Sequence, residues 1–283
     1  KFKVIDGYVY FCWKPLKIMN NTFMTNIQEG TKLMQLRFVP KNGEYIMEVV
    51  YQIDVPDIED KSERIASIDL GVDNLMTNTS NCGVKPLVIN GKPLKSINQY
   101  YNKKISEMRS ELKKRHNADW SKEMQRFTIK RNNKVDDYIQ KATKMVVDFC
   151  KENNIDTLVC GYNSGWKQES NMGKQVNQKF VSIPYESIVW RLSYKCETAG
   201  ILFKRPEESF TSGTSFLDGE EPIKENYDKS RRVYRGLFVS NNGTKINADV
   251  NGSYQITKKV FPNAFSNGIV GVGLHPTVVN IPL

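Results

Sequence analysis

Between residues 64 and 260 the hydrophobic period changes in a fixed order, and that order limits the folds open to the chain. Three short strand-like runs come first, at 64–69, 75–79 and 86–89, spaced as a meander. Residues 95–117 then switch to helical spacing, with Tyr101, Ile105, Met108 and Leu112 on one face. A second helix is predicted over 119–153, burying Val135, Ile139, Ala142, Val146 and Phe149. A strand at 156–161, a helix at 185–199, a strand at 201–204 and a helix at 248–260 complete the series. Strands in a meander followed by alternating helices and strands predict an α/β domain, a mixed sheet flanked by helices.

On either side the pattern differs. Residues 1–57 are rich in Val, Tyr and Phe, with strand-like runs at 3–13, 33–39 and 45–55. The turn Pro40-Lys41-Asn42-Gly43 joins the last two, and a small β-barrel or part of one is expected. A polar linker at 57–63 sets the boundaries: a β-rich part at 1–60, an α/β domain at 61–262, and a Pro- and Gly-punctuated tail at 263–283. Within the α/β part, 163–182 reads as a polar loop. Residues 209–247, rich in Ser, Gly, Asn and charge, read as an inserted lid. The chain enters strand-like sequence directly from Lys1, so a further N-terminal part is expected to precede it.

The chain carries 41 Lys and Arg against 31 Asp and Glu, a net charge of +10. That balance suits a polyanionic partner, nucleic acid or an acidic membrane surface. No run of about 18 apolar residues is present, so no membrane span is expected. Twelve of the basic residues fall within 95–134, against four acidic ones. Lys103, Lys104, Lys113, Lys114, Arg115, Lys130 and Arg131 are candidate contacts to a phosphate backbone, the alternative being a solvated helical face. Five cysteines, none in a CxxC pair, argue against a disulfide framework and for a reducing compartment, bacterial cytoplasm or eukaryotic nucleus. His116 and His275 are the only histidines, too few for a Ser-His-Asp triad or a His-rich zinc site. Any catalysis therefore falls to carboxylates.

Two carboxylates stand out by position. Asp69 ends an apolar strand just before Leu70-Gly71-Val72, and Asp249 falls in the first turn of the 248–260 helix. In-line phosphodiester cleavage suits two divalent ions about 3.5–4 Å apart, one activating water and one stabilising the leaving oxygen. Mg²⁺ and Mn²⁺ take oxygen ligands, so several carboxylates on rigid elements must converge. Local sequence leaves the plainer readings open: a turn Asp at 69, and at 249 a charge complementing the helix dipole.

Around these residues the chain resembles the TnpB (OrfB) proteins of insertion sequences. Ile65-Ala66-Ser67-Ile68-Asp69-Leu70-Gly71-Val72-Asp73-Asn74-Leu75 is similar to their first RuvC motif, and Asn247-Ala248-Asp249-Val250-Asn251-Gly252-Ser253 to their last. Phe210-Thr211-Ser212 resembles the "YTS" element between them. The ordered set implies an RNase H-like (RuvC) nuclease domain preceded by a wedge domain, with relatives among Fanzor proteins and type V CRISPR effectors. It implies an RNA-guided DNA endonuclease that uses Mg²⁺ or Mn²⁺, with guide RNA and target DNA as partners and Asp69 and Asp249 as catalytic metal ligands.

The chain departs from that pattern in three places. Gly161 stands where the family places a Glu at the end of a strand. The resemblance to members with a relocated glutamate puts the third carboxylate at Glu208, three residues before Thr211, with Glu207 as the alternative. Ser215, Val239 and Asn242 replace cysteines of the usual ribbon, so no zinc is expected and the lid needs another support. The family's N-terminal recognition helices are missing from these 283 residues. Two further functions stay open: a nuclease-inactive, RNA-guided DNA-binding repressor of the same family, and an unguided transposase or resolvase.

Overall fold

The computed structural model describes residues 2–6, 8–11, 22–24, 27, 30–41, 43–163, 183–266, 268 and 273–282. Cys12 and the predicted loop from residue 164 to 182 lie outside them. The chain divides into two compact units, Lys1–Val55 and Pro56–Leu283. In the first, β1 (Phe2–Ile5), β2 (Tyr8–Phe11) and β3 (Thr22–Met24) form an antiparallel sheet. A hairpin of β4 (Leu33–Lys41) and β5 (Glu44–Tyr51) turns through Gly43, whose φ of 84° suits a residue without a side chain.

The second unit is built on a six-stranded mixed sheet. Its meander is β6 (Ile65–Leu70), β7 (Asn74–Ser80) and β8 (Leu87–Asn90), each antiparallel to the next. Strands β9 (Thr157–Cys160) and β10 (Leu202–Lys204) add on the β6 side in parallel, giving the order β10-β9-β6-β7-β8-β13. The parallel connections run through helices, as crossovers require. Strand β13 (Thr277–Val279) pairs in parallel with β8 at the far edge. It lies in the segment whose Pro and Gly content predicts a tail. Three residues, two of them exposed, carry too little periodicity to announce a strand; pairing with β8 makes it one.

Helix α1 (Lys92–His116) begins three residues before the predicted start, because Pro93 in its first turn needs no N–H partner there. Helix α2 (Lys122–Glu152) starts at Ser121, whose hydroxyl accepts from the Met124 N–H at 3.2 Å. Its buried stripe of Val135, Tyr138, Ile139, Ala142 and Val146 packs with Ala66, Ile68, Leu70 and Met76 of the sheet. Each large side chain so buried contributes roughly 1.5–3 kcal/mol. Helix α3 (Tyr185–Thr198) adds Ile188, Leu192 and Cys196 to that core. Helix α4 (Ala248–Val260) covers the other face, joining Ile256 to Ile65 and Val159.

Within the predicted lid, β11 (Leu237–Val239) and β12 (Lys245–Asn247) form a hairpin. Phe216, Phe238 and Ile246 cluster there with Val250 and Tyr254 of α4. The three positions that replace ribbon cysteines lie in this region. Arg231 bridges Glu220 at 2.6 Å and Asp218 at 3.7 Å. Glu220 in turn accepts the Ser215 N–H at 2.7 Å. An ion-pair network and an aromatic core hold the lid.

Candidate active site

Strands β6, β9 and β10 run parallel, so their carboxyl ends open on one side of the sheet, where ligands of α/β folds bind. Asp69 is the penultimate residue of β6 and projects toward α4. Helix and strand approach so closely there that a Cβ on Gly252 would stand 2.9 Å from Asp69 Oδ2. Small hydroxyl residues permit the approach. Ser67 donates to the Ser253 carbonyl at 2.6 Å, Thr257 Oγ1 lies 2.7 Å from Ser67 Oγ, and Ser253 Oγ lies 2.9 Å from Thr79 Oγ1. All four are buried, and their mutual bonds fix the helix against the strands.

The helix begins at Asn247, whose side chain accepts from the N–H groups of Asp249 and Val250. Asn247 therefore performs the capping that is the plain alternative for Asp249. The Asp249 carboxylate turns instead to two side chains. Arg232 of the lid donates to Oδ1 at 2.8 Å and Asn74, at the start of β7, to Oδ2 at 2.7 Å.

Beyond β10 the chain keeps to the sheet: the Pro206 carbonyl accepts the Tyr162 N–H at 3.1 Å. Glu207 and Glu208 follow, and their side chains part. Glu207 faces solvent, where Lys259 donates to it at 2.8 Å and Ser209 at 2.6 Å. Glu208 turns inward and is only 9% exposed. Thr211 holds its backbone, the hydroxyl donating to the Glu208 carbonyl at 2.8 Å, a three-residue turn that depends on this spacing. A Cβ built on Gly161 would lie 2.3 Å from Glu208 Oε2. The Glu208 carboxylate thus fills the space into which a side chain at 161 would grow.

Burial drives the electrostatics. The Asp69 carboxyl is pushed well above the usual carboxylate range by burial, then by the nearby charges of Glu208 and Asp249, with Arg232 opposing. The Glu208 carboxyl is pushed up to about 8 by burial and by Glu207, with Lys259 opposing. Its Oε2 is buried without a hydrogen-bond partner. Among the described residues no three His, Cys, Asp or Glu side chains already stand as a cage for an ion. The Arg232 and Asn74 contacts occupy the third carboxylate. The donor set nonetheless suits a hard divalent cation: all its donors are oxygen, and one buried carboxylate oxygen has no partner.

A raised carboxyl favours the protonated, folded chain. The contribution of Glu208 to stability is complete below its ordinary value of 4.5 and is lost as pH rises toward about 8. In metal-free buffer the unfolding temperature should fall across that window. In Glu208→Gln, which has no proton to lose, the fall should be shallower; an identical pH profile would refute the assignment.

The candidate basic residues lie on the hairpin of α1 and α2. Lys103, Lys113, Lys114, Arg115 and Lys130 are exposed. Lys104 pairs with Glu107 at 2.8 Å. Arg131 is partly buried; it donates to Asn98 Oδ1 at 2.8 Å and lies 5.4 Å from the Tyr101 ring centre, so it braces the two helices. Sequence reasoning missed Arg232 and Asn74 as partners of Asp249. It also missed Arg235, which pairs with Asp73 at 2.9 Å. The run Arg231-Arg232-Val233-Tyr234-Arg235 inside a polar, charged insertion was the signal that could have pointed to them.

Comparison with known proteins bears on this arrangement. Residues 48–167 match the OrfB_IS605 family, described as a probable transposase, and residues 185–256 match the Cas12f1-like TNB domain. No curated protein matches the chain. Among solved structures, a Cas12f1–sgRNA–target DNA complex aligns with a TM-score of 0.54 and 20% identity over 80% of this chain and 56% of its own. A CRISPR-Cas12f ternary complex aligns with a TM-score of 0.52 and 18% identity over 78% of this chain and 44% of its own. The chain thus spans about half the length of the structures it matches and shares their RuvC-like fold. The two family matches fall in this order along the chain, and in that order the chain is similar to proteins of the TnpB (OrfB) type.

Proposed function

We propose that this chain is the nuclease part of an RNA-guided, metal-dependent DNA endonuclease, with Asp69, Glu208 and Asp249 as its metal-binding carboxylates. The observation that carries the reading is the Glu208 carboxylate in the space left by Gly161, buried beside Asp69 with one oxygen unpartnered. Bound Mg²⁺ or Mn²⁺ would supply the charge that activates water and stabilises the leaving oxygen. Burial favours the neutral form of Asp69 and Glu208, and both would have to be ionised to hold the ion. Asp249 would hold the ion together with them, and Arg232, which donates to Asp249 at 2.8 Å, would supply positive charge to a bound phosphate. The rest of the task is shape and charge: guide RNA pairing reads the target, and the protein holds backbones. The β-rich residues 1–60 serve as the wedge. The test is to sequence RNA that copurifies with the chain and its full-length parent, then assay cleavage of complementary DNA with and without Mg²⁺. Cleavage that needs no guide would sink the reading.

The exposed lysines of α1 and α2 supply the grip on the nucleic-acid backbone. Reversing charge at Lys113, Lys114 and Arg115 together should weaken nucleic-acid binding. Its salt dependence should flatten by a slope of about 0.9 for each duplex phosphate no longer neutralised. Unchanged affinity and slope would make that face merely solvated. One observation favours a second reading, a nuclease-inactive RNA-guided DNA-binding repressor: the Asp249 carboxylate is engaged by Arg232 and Asn74. Guided binding without cleavage in either Mg²⁺ or Mn²⁺ would establish it.

A further inference from the structure

Directly across the ladder from Asp69, on the next antiparallel strand, stands Thr77. Register partners share one face of a sheet, with Cβ atoms about 4.5–5.5 Å apart. Thr77 therefore lies on the Asp69 face, beneath α4. It is 1% exposed, and its hydroxyl has no hydrogen-bond partner among the described residues. A buried hydroxyl without a partner costs free energy that a valine of the same shape would avoid. A central strand also prefers the valine. Nothing in the packing of this sheet calls for an oxygen at that position.

The same face shows what such a pair can do. One step back along the ladder, Ser67 and Thr79 are register partners too, and their hydroxyl oxygens lie 3.0 Å apart. Side chains opposed in this register are thus within hydrogen-bonding reach. The neighbouring Asn78 also lacks partners, but it pairs with Ile68 and so belongs to the opposite face, among the apolar core. Of these two unsatisfied side chains, only Thr77 stands on the face of the carboxylates. Gly252 limits the room on the helix side of Asp69, since any Cβ there would meet Oδ2 at 2.9 Å. The carboxylate has a helix on one flank and the Thr77 hydroxyl across the ladder.

We infer that Thr77 is a positioning residue of this site, whose hydroxyl donates to the Asp69 carboxylate, directly or through one water, when the site holds a divalent cation. This rests on the metal-site reading above. In the metal-free chain the hydroxyl goes unpaired. With a cation bound, one Asp69 oxygen would face it and the other would accept from Thr77, which would fix the orientation of the ligand as outer donors do at metal sites. The hydroxyl is a stability cost retained for ligand geometry.

The test is calorimetric titration of Mn²⁺ alone into the 283-residue chain, without nucleic acid, for the wild type, Thr77→Val, Thr77→Ala, Thr77→Ser and Asp69→Asn, with thermal unfolding of each. Thr77→Val and Thr77→Ala should weaken Mn²⁺ binding about tenfold, the lower end of the effect of losing an outer donor. Thr77→Ser should stay within about twofold, because it keeps the donor. Thr77→Val should unfold no earlier than the wild type. Wild-type affinity in both hydroxyl-free variants overturns the inference. So does failure of both to fold, which would make the hydroxyl structural, or a loss in Thr77→Ser equal to that in Thr77→Val. If Asp69→Asn binds Mn²⁺ as the wild type does, the metal-site reading itself fails, and this inference falls with it.

Discussion

Glu208→Gln should abolish metal-dependent DNA cleavage, by about a thousandfold or more, whereas Glu207→Gln should keep most of it. The two glutamates are adjacent in sequence but opposite in environment. Glu207 is an exposed partner of Lys259 and Ser209, an arrangement worth at most about 1 kcal/mol to the fold. Glu208 is buried, lies near enough to Asp69 for their charges to repel, and offers an oxygen that has no partner among the described residues. Gln keeps the shape and removes the charge that a divalent ion requires, so RNA binding should hold and the unfolding temperature should not drop while the rate falls. Asp69→Ala and Asp249→Ala serve as reference losses in the same cleavage assay. A Glu208→Gln chain that cuts near the wild-type rate would show that this carboxylate is not a ligand, and the opposite ranking would transfer the role to Glu207.

Gly161→Ala carries the second large effect. Its Cβ would lie 2.3 Å from Glu208 Oε2 and 2.5 Å from Ile256 Cδ1, both closer than real Cβ contacts allow. To make room, Ile256 would have to shift within its cluster with Ile65 and Val159, and Glu208 would have to swing its carboxylate out of that space. Overpacking of this kind costs about 1–3 kcal/mol. The larger consequence is for activity, since displacing a catalytic group by about 1 Å costs roughly a hundredfold. Cleavage rate and unfolding temperature of the one variant measure both. The complementary change, Gly161→Glu with Glu208→Ala, returns the carboxylate to the same space from the other strand and should regain a measurable part of the lost rate. A fully active Gly161→Ala would mean that the site tolerates movement of Glu208, and the spatial argument for its role would fail.

Much of the fold is legible without coordinates because one-sided burial writes itself into spacing. The meander, both long helices, the 157–160 and 202–204 strands and the last helix all follow from apolar period and punctuation. Asp69 and Asp249 could be singled out because each sits at the end of a regular element beside a glycine-bearing motif. Strand β13 could not, because its identity comes from an edge partner nearly two hundred residues earlier in the chain. The lid hairpin was obscured by its polar composition; it is held by Arg231 and a small aromatic cluster, contacts that leave no period in the sequence.

The sequence by itself determined the order of elements and the number of carboxylates available. It also determined the absence of a glutamate at 161 and the three-residue spacing from Glu208 to Thr211. Those are local properties, set by side-chain type and by turns that close within a few residues. Which of two adjacent glutamates enters the site was decided by tertiary structure, through the Pro206–Tyr162 ladder bond and the vacancy at Gly161. The same holds for the pairing of Asp249 with Arg232 and the placing of Thr77 opposite Asp69. These pairings, with that of Asn74 and Asp249, join residues 8 to 175 positions apart. Their energies depend on burial and through-space distance, and a linear pattern of side chains records neither.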